Sequence, residues 1–325
     1  MAYTPSRPGQ INGAGDALAL FLKVFSGEVL TAFEQTTVML DKHMIRTIQN
    51  GKSATFPATG RASAAYFVPG TTELSGSTIN GNEVVVTIDG LLLAHTFVHQ
   101  IDELMNHFDV RGIYSTELGR KLAWAFDTNV LAEIILGARA VATVTGLPGG
   151  TVIEDSDFGS ATPATKAQAI ADALFSAAQK LDENDAPTER YAVFRPAEYY
   201  TLVSAVQTGG FSVIHKDYGG QGSYADGKVI NIAGINIVKS NNLPITNLSS
   251  LGSTDPQYFH KPNASTTKGV VFAREAVATV KLMDLATESE WDIRRQGTWL
   301  VAKYAMGHKF IRPECCVELR TGAPV

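Results

Sequence analysis

A chain of 325 residues that is 45% hydrophobic and 18% charged, with a net charge of −5, is long enough to bury a large core and to hold two domains. The mildly acidic balance excludes a nucleic-acid reader built on a basic face, and no run of like charge marks an interaction tail. No stretch reaches ~18 uninterrupted apolar residues, so no membrane-spanning helix is expected. The opening MAYTPSRPGQ has no apolar signal core, which points to a soluble protein not secreted by that route. The two cysteines, Cys315 and Cys316, are adjacent. That spacing gives no disulfide framework and fits a reducing compartment.

In chain order, residues 1–15, with Pro5, Pro8, Gly9, Gly13 and Gly15, read as a flexible lead-in. From Asp16 to Thr36, Leu18, Phe21, Leu22, Phe25, Val29, Leu30 and Phe33 keep helical spacing, interrupted near Ser26-Gly27. The forty residues 51–90 are rich in Gly, Ser, Thr and Pro, and their only charges are Lys52, Arg61, Glu73, Glu83 and Asp89. Val84, Val86 and Ile88 alternate with Glu83, Val85 and Thr87, and Tyr66, Phe67 and Val68 stand together. Two strands leading into and out of a loose tip fit this pattern. A loop of this length inside a compact domain serves binding or is disordered, and its aromatic residues argue against disorder. We read it as a hairpin arm that packs on something outside its own chain.

The clearest periodic segment spans residues 99–141. Leu118, Leu122, Phe126, Val130 and Ile134 recur every four residues, and Leu131 and Ile135 widen the stripe. Ser115 is the expected N-cap, Glu117 and Lys121 form an i,i+4 pair, and Arg139 complements the C-terminal dipole. From Ser115 to Ala140 such a helix is roughly 39 Å long. Gly112 is expected to kink it or to separate it from a shorter apolar piece holding Phe97, Ile101, Leu104, Met105 and Phe108. Residues 146–165 read as loop. A helix over Ala167–Leu181, a strand at Tyr191–Phe194, a helix at Glu198–Val206 and a hairpin over Lys228–Lys239 make a small α/β unit. Residues 246–268 read as loop again. Strands at Gly269–Phe272, Val277–Leu285, Trp299–Met306 and Val317–Arg320 close the chain.

Chemistry is sparse. Gly51-Lys52-Ser53 ends like a phosphate-binding loop, but Arg46 stands where its first glycine is required. Gly13 and Gly15 lack the third glycine of a dinucleotide fingerprint. His95 and His99, four apart with Glu103 a turn on, could share a helix face and hold zinc. Without an HExxH pattern or a nearby cysteine, a pair of part-buried or interface histidines is the preferred reading. Cys315 with His308 matches no nucleophile signature, and no GxSxG elbow is present. No catalytic, cofactor or metal residue is assigned. The residues singled out are Lys52 at the base of the arm, and Arg61, read either as pairing with acids on a neighbour or as an exposed arginine worth under about 1 kcal/mol. With them go Tyr66, Phe67 and Val68, and the mixed-charge run Glu288, Glu290, Asp292, Arg294 and Arg295, read as intersubunit ion pairs or as a solvated face.

The segments GDALALFLKVFSGEVLTAF (15–33), HMIRTIQNGKSATFPATGRASAAYFVPG (43–70), VVVTIDGLLLA (84–94), IDELMNHFDVRGIYSTELGRKLA (101–123) and AVATVKLMDLA with LVAKYAMGHKFIRPE (276–314) closely resemble the major capsid proteins of short-tailed phages of the T-seven type. The likeness is collinear over about three-quarters of the chain; 145–270 matches weakly and the tip at 71–82 departs. The resemblance implies an α+β Hong Kong 97-type capsid fold: N-terminal arm and helix at 1–50, extended loop at 51–90, a peripheral domain with the spine helix at 91–144 and 269–325, and an axial α/β domain at 145–268. It implies a structural subunit without catalysis or cofactor. Implied partners are copies of itself in hexamers and pentamers, a scaffolding protein, a portal at one vertex, and packaged double-stranded DNA held without sequence-specific binding; no membrane is implied. Such a protein assembles in the bacterial cytoplasm and resides in the virion. Some shells of this fold crosslink through a Lys–Asn isopeptide bond. Lys52, Asn80 and Asn82 invite the comparison, but the T-seven type implies no such bond. A small-oligomer binding protein using the arm for strand addition and a soluble hydrolase are the alternatives.

Overall fold

The computed structural model describes residues 37–64, 66, 70, 78–105, 110–204, 231–251 and 259–323. The helix expected over Asp16–Thr36, the pair Phe67 and Val68, and most of the arm tip lie outside them. The chain divides into two compact units. One holds Leu93–Leu122 and Leu285–Lys303; the other holds Thr37–Leu92, Ala123–Asp284 and Tyr304–Val325.

The elements in order are β1 (Met44–Thr47), β2 (Ser53–Thr59), β3 (Gly81–Thr87), β4 (Gly90–His99), α1 (Gln100–Met105), α2 (Val110–Ala138), β5 (Thr151–Glu154), α3 (Pro163–Glu183), β6 (Arg190–Phe194), α4 (Pro196–Ser204), β7 (Asn231–Ile232), β8 (Ile235–Lys239), β9 (Thr267–Ala273), β10 (Val277–Asp292), β11 (Gly297–Phe310) and β12 (Cys316–Arg320). The chain passes from unit to unit within β4, α2, β10 and β11. A four-stranded sheet has the order β1-β10-β11-β4.

The expected long helix is present, but it starts earlier than Ser115 and runs straight through Gly112. One glycine in a helix interior costs only about 1 kcal/mol relative to alanine, too little to break a helix of 29 residues. The apolar stripe also understates its burial. Every residue from Ala125 to Ile135 is buried, including Asp127, Thr128, Asn129 and Glu133. Polar groups in such a place must be paired. Asp127 accepts from the backbone N–H of Val38 (2.9 Å) and Met39 (3.2 Å) and from the side-chain amide of Asn242 (2.9 Å). Burial nonetheless pushes its carboxyl above the ordinary range. Glu133 accepts from the N–H of Phe310 at 2.9 Å.

The larger unit carries a six-stranded sheet of order β5-β12-β9-β6-β8-β7. Two of its interior strands, β9 and β12, come from the C-terminal segment that sequence reading places with the peripheral domain. They pair antiparallel with each other, and β9 pairs antiparallel with β6. Strand β5 lies within 146–165, read from sequence as loop. It pairs in parallel with β12, from Thr151 opposite Val317 to Glu154 opposite Arg320, a partner too remote in the chain for local patterning to reveal. Helix α3 matches its expectation: Ile170, Leu174, Ala177, Ala178 and Leu181 are buried. Pro163 opens it at a position where its missing N–H costs nothing, and Asp185 closes it in the left-handed region at φ 56°. The β7–β8 hairpin turns at Ala233 (φ 53°) and Gly234 (φ 77°), as a two-residue turn requires.

Two buried histidines form a relay in this unit. His43 Nδ1 lies 2.6 Å from the Met39 carbonyl, which can only accept, so Nδ1 carries the proton. His43 Nε2 then accepts from the Thr279 hydroxyl at 2.7 Å, and that oxygen accepts from His308 Nδ1 at 2.9 Å. Both rings are neutral. Burial holds His43 down at about 4 and His308 well below the ordinary range, the latter helped by the positive charge of His260. These folded-state values lie below the unfolded value near 6.5, so the unfolded chain takes up protons that the native chain refuses. Stability is unaffected by this pair above about pH 6.5 and falls as pH drops towards 4, by about 3 kcal/mol for His43 alone. Urea midpoints measured at pH 6.5 and 4.5 check this; Thr279→Val, which breaks the relay, lowers both.

Candidate assembly surface

The arm is a two-stranded antiparallel ribbon, β2 with β3, running from Ser53 opposite Thr87 to Thr59 opposite Gly81. Alternation gives it two unlike faces. On one, Ala54, Val84 and Val86 join Ala278, Val280 and Ile311 in a buried cluster, with Ile48 and Phe56 packed against it. On the other, Thr55, Pro57, Thr59, Glu83 and Thr87 are exposed. The arm is therefore not wholly without a seat on its own chain, contrary to the sequence expectation. An isolated two-stranded hairpin is marginal in water, and the valine face supplies what it lacks.

Further polar contacts fix the ribbon to its own chain. Asn82 donates its amide to the Thr143 carbonyl at 2.7 Å, and Asn80 donates to Thr145 at 3.4 Å. Lys309 reaches the Val85 carbonyl at 3.2 Å. At the root, Ile88 N–H donates to Lys52 O at 2.8 Å and Asp89 N–H to Met306 O at 3.2 Å. Gly307 faces this root so closely that an added Cβ would sit 2.1 Å from the Thr87 carbonyl oxygen and 2.8 Å from Ile88 Cα. A groove of about 510 Å³ runs beside the arm, with Phe56, Ala58 and Ile311 among its apolar walls and Arg61, Asp185 and Glu275 among its charged ones.

The residues singled out from sequence fall in separate places. Arg61 Nη2 lies 2.6 Å from the Asp185 carboxylate and donates to the Asn184 carbonyl at 3.2 Å. It thus docks on the C-terminal end of α3, where a cation meets the favourable end of the dipole. The acid it pairs with here belongs to its own chain. Lys52 is exposed at the arm base, and Tyr66 is 99% exposed. In the smaller unit, Lys303 pairs with Glu288 at 2.6 Å. Asp292 closes the β10–β11 turn by accepting from the N–H of Arg294 (2.8 Å) and Arg295 (3.3 Å). Arg295 stacks over Trp299 at 5.6 Å, while Glu290 and Arg294 are exposed. Part of this run therefore shapes its own hairpin. His95 and His99 lie on strand β4, not on a helix, and stack on Trp299 and Phe97. Among the described residues no His, Cys, Asp and Glu group is disposed to hold a metal. Cys315 and Cys316 are free and buried, and burial pushes the Cys315 thiol up to about 12, which leaves it unreactive.

Sequence reading missed the exposed apolar side chains outside the arm. Val141, Phe175 and Phe259 are 56–85% exposed in the larger unit, and Ile101 and Ile293 are 65% and 73% exposed in the smaller one.

The architecture, with an arm, one long helix crossing both units and a sheet built from distant segments, is that of a phage capsid subunit of the Hong Kong 97 type. The solved capsid of cyanophage P-SCSP1u is similar at 41% identity and a TM-score of 0.77, covering 98% of this chain and 99% of that one. The mature capsid of bacteriophage PhiM1 shares the fold at 19% identity and a TM-score of 0.73, covering 99% and 93%. The major capsid protein of Escherichia phage T7 is 37% identical, over 93% of this chain and 91% of that protein. The major capsid protein of Enterobacteria phage T3 is 36% identical, over 94% and 92%. The sequence profile of the family described as "Gp10A-like: Major capsid protein" matches residues 55–320. The chain belongs to that family and is a major capsid protein, a component of the virion.

Proposed function

We propose that this protein forms the icosahedral head of a tailed phage as hexamers and pentamers of itself, and that its role is association without catalysis. The observation that carries the reading is the half-covered arm. One face of the β2–β3 ribbon is buried in its own chain while the other, with Tyr66 beyond it, is open. In this reading an adjacent copy covers that face, and Lys52, Tyr66, Phe67, Val68 and the run Glu288 to Arg295 lie at or near contacts between copies. Many weak contacts repeated around a closed shell sum to high stability. In this reading the peripheral domain takes 91–144 with the remainder of 269–325, and the axial domain takes 145–268 together with strands β9 and β12, which complete its sheet. A scaffolding protein guides assembly in the bacterial cytoplasm, a portal occupies one vertex, and the net charge of −5 suits an inner wall that must not trap packed double-stranded DNA.

Co-expression with the scaffolding protein, followed by size-exclusion chromatography and electron microscopy, tests this. Megadalton shells are expected. A stable monomer would favour a soluble enzyme, and a defined small ring would favour a strand-addition protein.

A further inference from the structure

The root of the arm is tied to helix α2 by one side chain that neither the capsid reading nor the arm requires. His260 Nε2 lies 2.9 Å from Asp89 Oδ2, at the β3–β4 corner, and its Nδ1 lies 2.7 Å from Glu133 Oε1, on α2. The three side chains are 10%, 14% and 6% exposed. Carboxylate oxygens only accept, so each ring nitrogen must donate. A neutral imidazole has one N–H and would turn a lone pair on the second carboxylate. With both carboxylates ionised, the geometry calls for an imidazolium.

We propose that the His260 side chain is a proton-controlled latch that pins the root of the arm to helix α2. Its surroundings favour one charge state. From α2 it meets Glu133, whose other oxygen is held by Phe310 N–H. From the corner it meets Asp89, which also accepts from the His308 backbone N–H. From β11 it meets the His308 ring, with centroids 6.0 Å apart, kept neutral by burial and by the charge of His260 itself. The Tyr304 phenol, also on β11, is pushed up by burial and by the charge of Asp89, so it stays neutral too. Phe259 covers the ring at 5.2 Å. Burial by itself would push the His260 imidazole down. The bonds and charges of Asp89 and Glu133 outweigh it and hold the ring up at about 9. With the proton, the trio carries one net negative charge. Without it, two carboxylates face each other across a neutral ring in a buried place, and separating corner from helix relieves them. On the acid side, Asp89, itself pushed up by burial, can take a proton and keep the bridge. The latch is thus closed at neutral and acid pH and opens only on the alkaline side.

This goes beyond the shell reading and does not depend on it, because it concerns one chain. The test uses the full chain, unassembled and labelled at the histidine Cε1 carbon. The NMR shift of His260 is followed from pH 6 to 10.5, beside hydrogen exchange of peptides covering 84–92 and 128–136, expressed as protection factors. The expected result is a His260 midpoint well above 6.5, with protection of the arm root falling at least about tenfold across that same midpoint. His260→Gln shows the lowered protection already at pH 7, without the alkaline step. If that variant does not fold, the wild-type titration alone decides. A midpoint near 6.5, or protection that does not change through the titration, overturns the latch and leaves shell assembly, scored by microscopy, untouched.

Discussion

Arg139→Ala destabilises the chain by about 3–5 kcal/mol, the range for breaking a buried ion pair from one side. Arg139 follows α2 and grips Glu318 of β12 with two bonds of 2.6 Å. Its Nη1 donates to the Asn263 carbonyl at 2.8 Å. Glu318 is fully buried and also accepts from the Thr267 hydroxyl at 2.5 Å. Removing the guanidinium leaves a carboxylate without its counter-charge in a place water does not reach. The cost comes from that stranded charge, so Arg139→Met with Glu318→Leu is expected to be more stable than Arg139→Met alone. Arg139→Lys keeps the charge but loses the two-pronged fit and falls between. Urea unfolding of the four variants measures the order; equal stability of Arg139→Ala and wild type would show the pair to be solvated.

Gly307→Ala is the second large effect. The methyl group would meet backbone at 2.1 Å, not a side chain that can swing away, so either β11 or the arm root must move. A loss of about 2–3 kcal/mol is expected from such overpacking, together with faster hydrogen exchange at Thr87–Gly90 and poor shell formation. Gly119 in α2 provides the contrast. An added Cβ there has no neighbour within 4 Å, and Gly119→Ala is expected to stabilise by about 0.5–1 kcal/mol. Thermal unfolding of the two variants separates a steric demand for glycine from mere tolerance of it.

These two residues show where sequence reading stops. The period of α2, the amphipathic α3 and the valine alternation of β3 were legible because each is a local pattern tied to one element. Arg139 was legible only as a cation at a helix end; its partner lies 179 residues away. Gly307 sits in a strand whose pattern predicts no special need for glycine, and only the crossing of the arm root supplies one. Strand β5 was hidden for the same reason, since its pairing is with the far end of the chain. Asp89, Glu133 and His260 stand at the end of the predicted arm, in a predicted apolar helix and in a predicted loop, and nothing in their spacing announces that they meet. Arg61 was legible as an isolated charge in an uncharged arm. Its partner at the close of its own helix α3, Asp185, is remote in the chain, and local patterning does not show the pairing.

The central claim is that the open face of the arm is completed by another copy. A reconstruction of the assembled shell at side-chain resolution tests it most directly. The account predicts that Thr55, Pro57, Thr59 and Tyr66 lie buried beneath an adjacent subunit in every copy. A shell in which that face remains bare to solvent, with copies joined elsewhere, would contradict it.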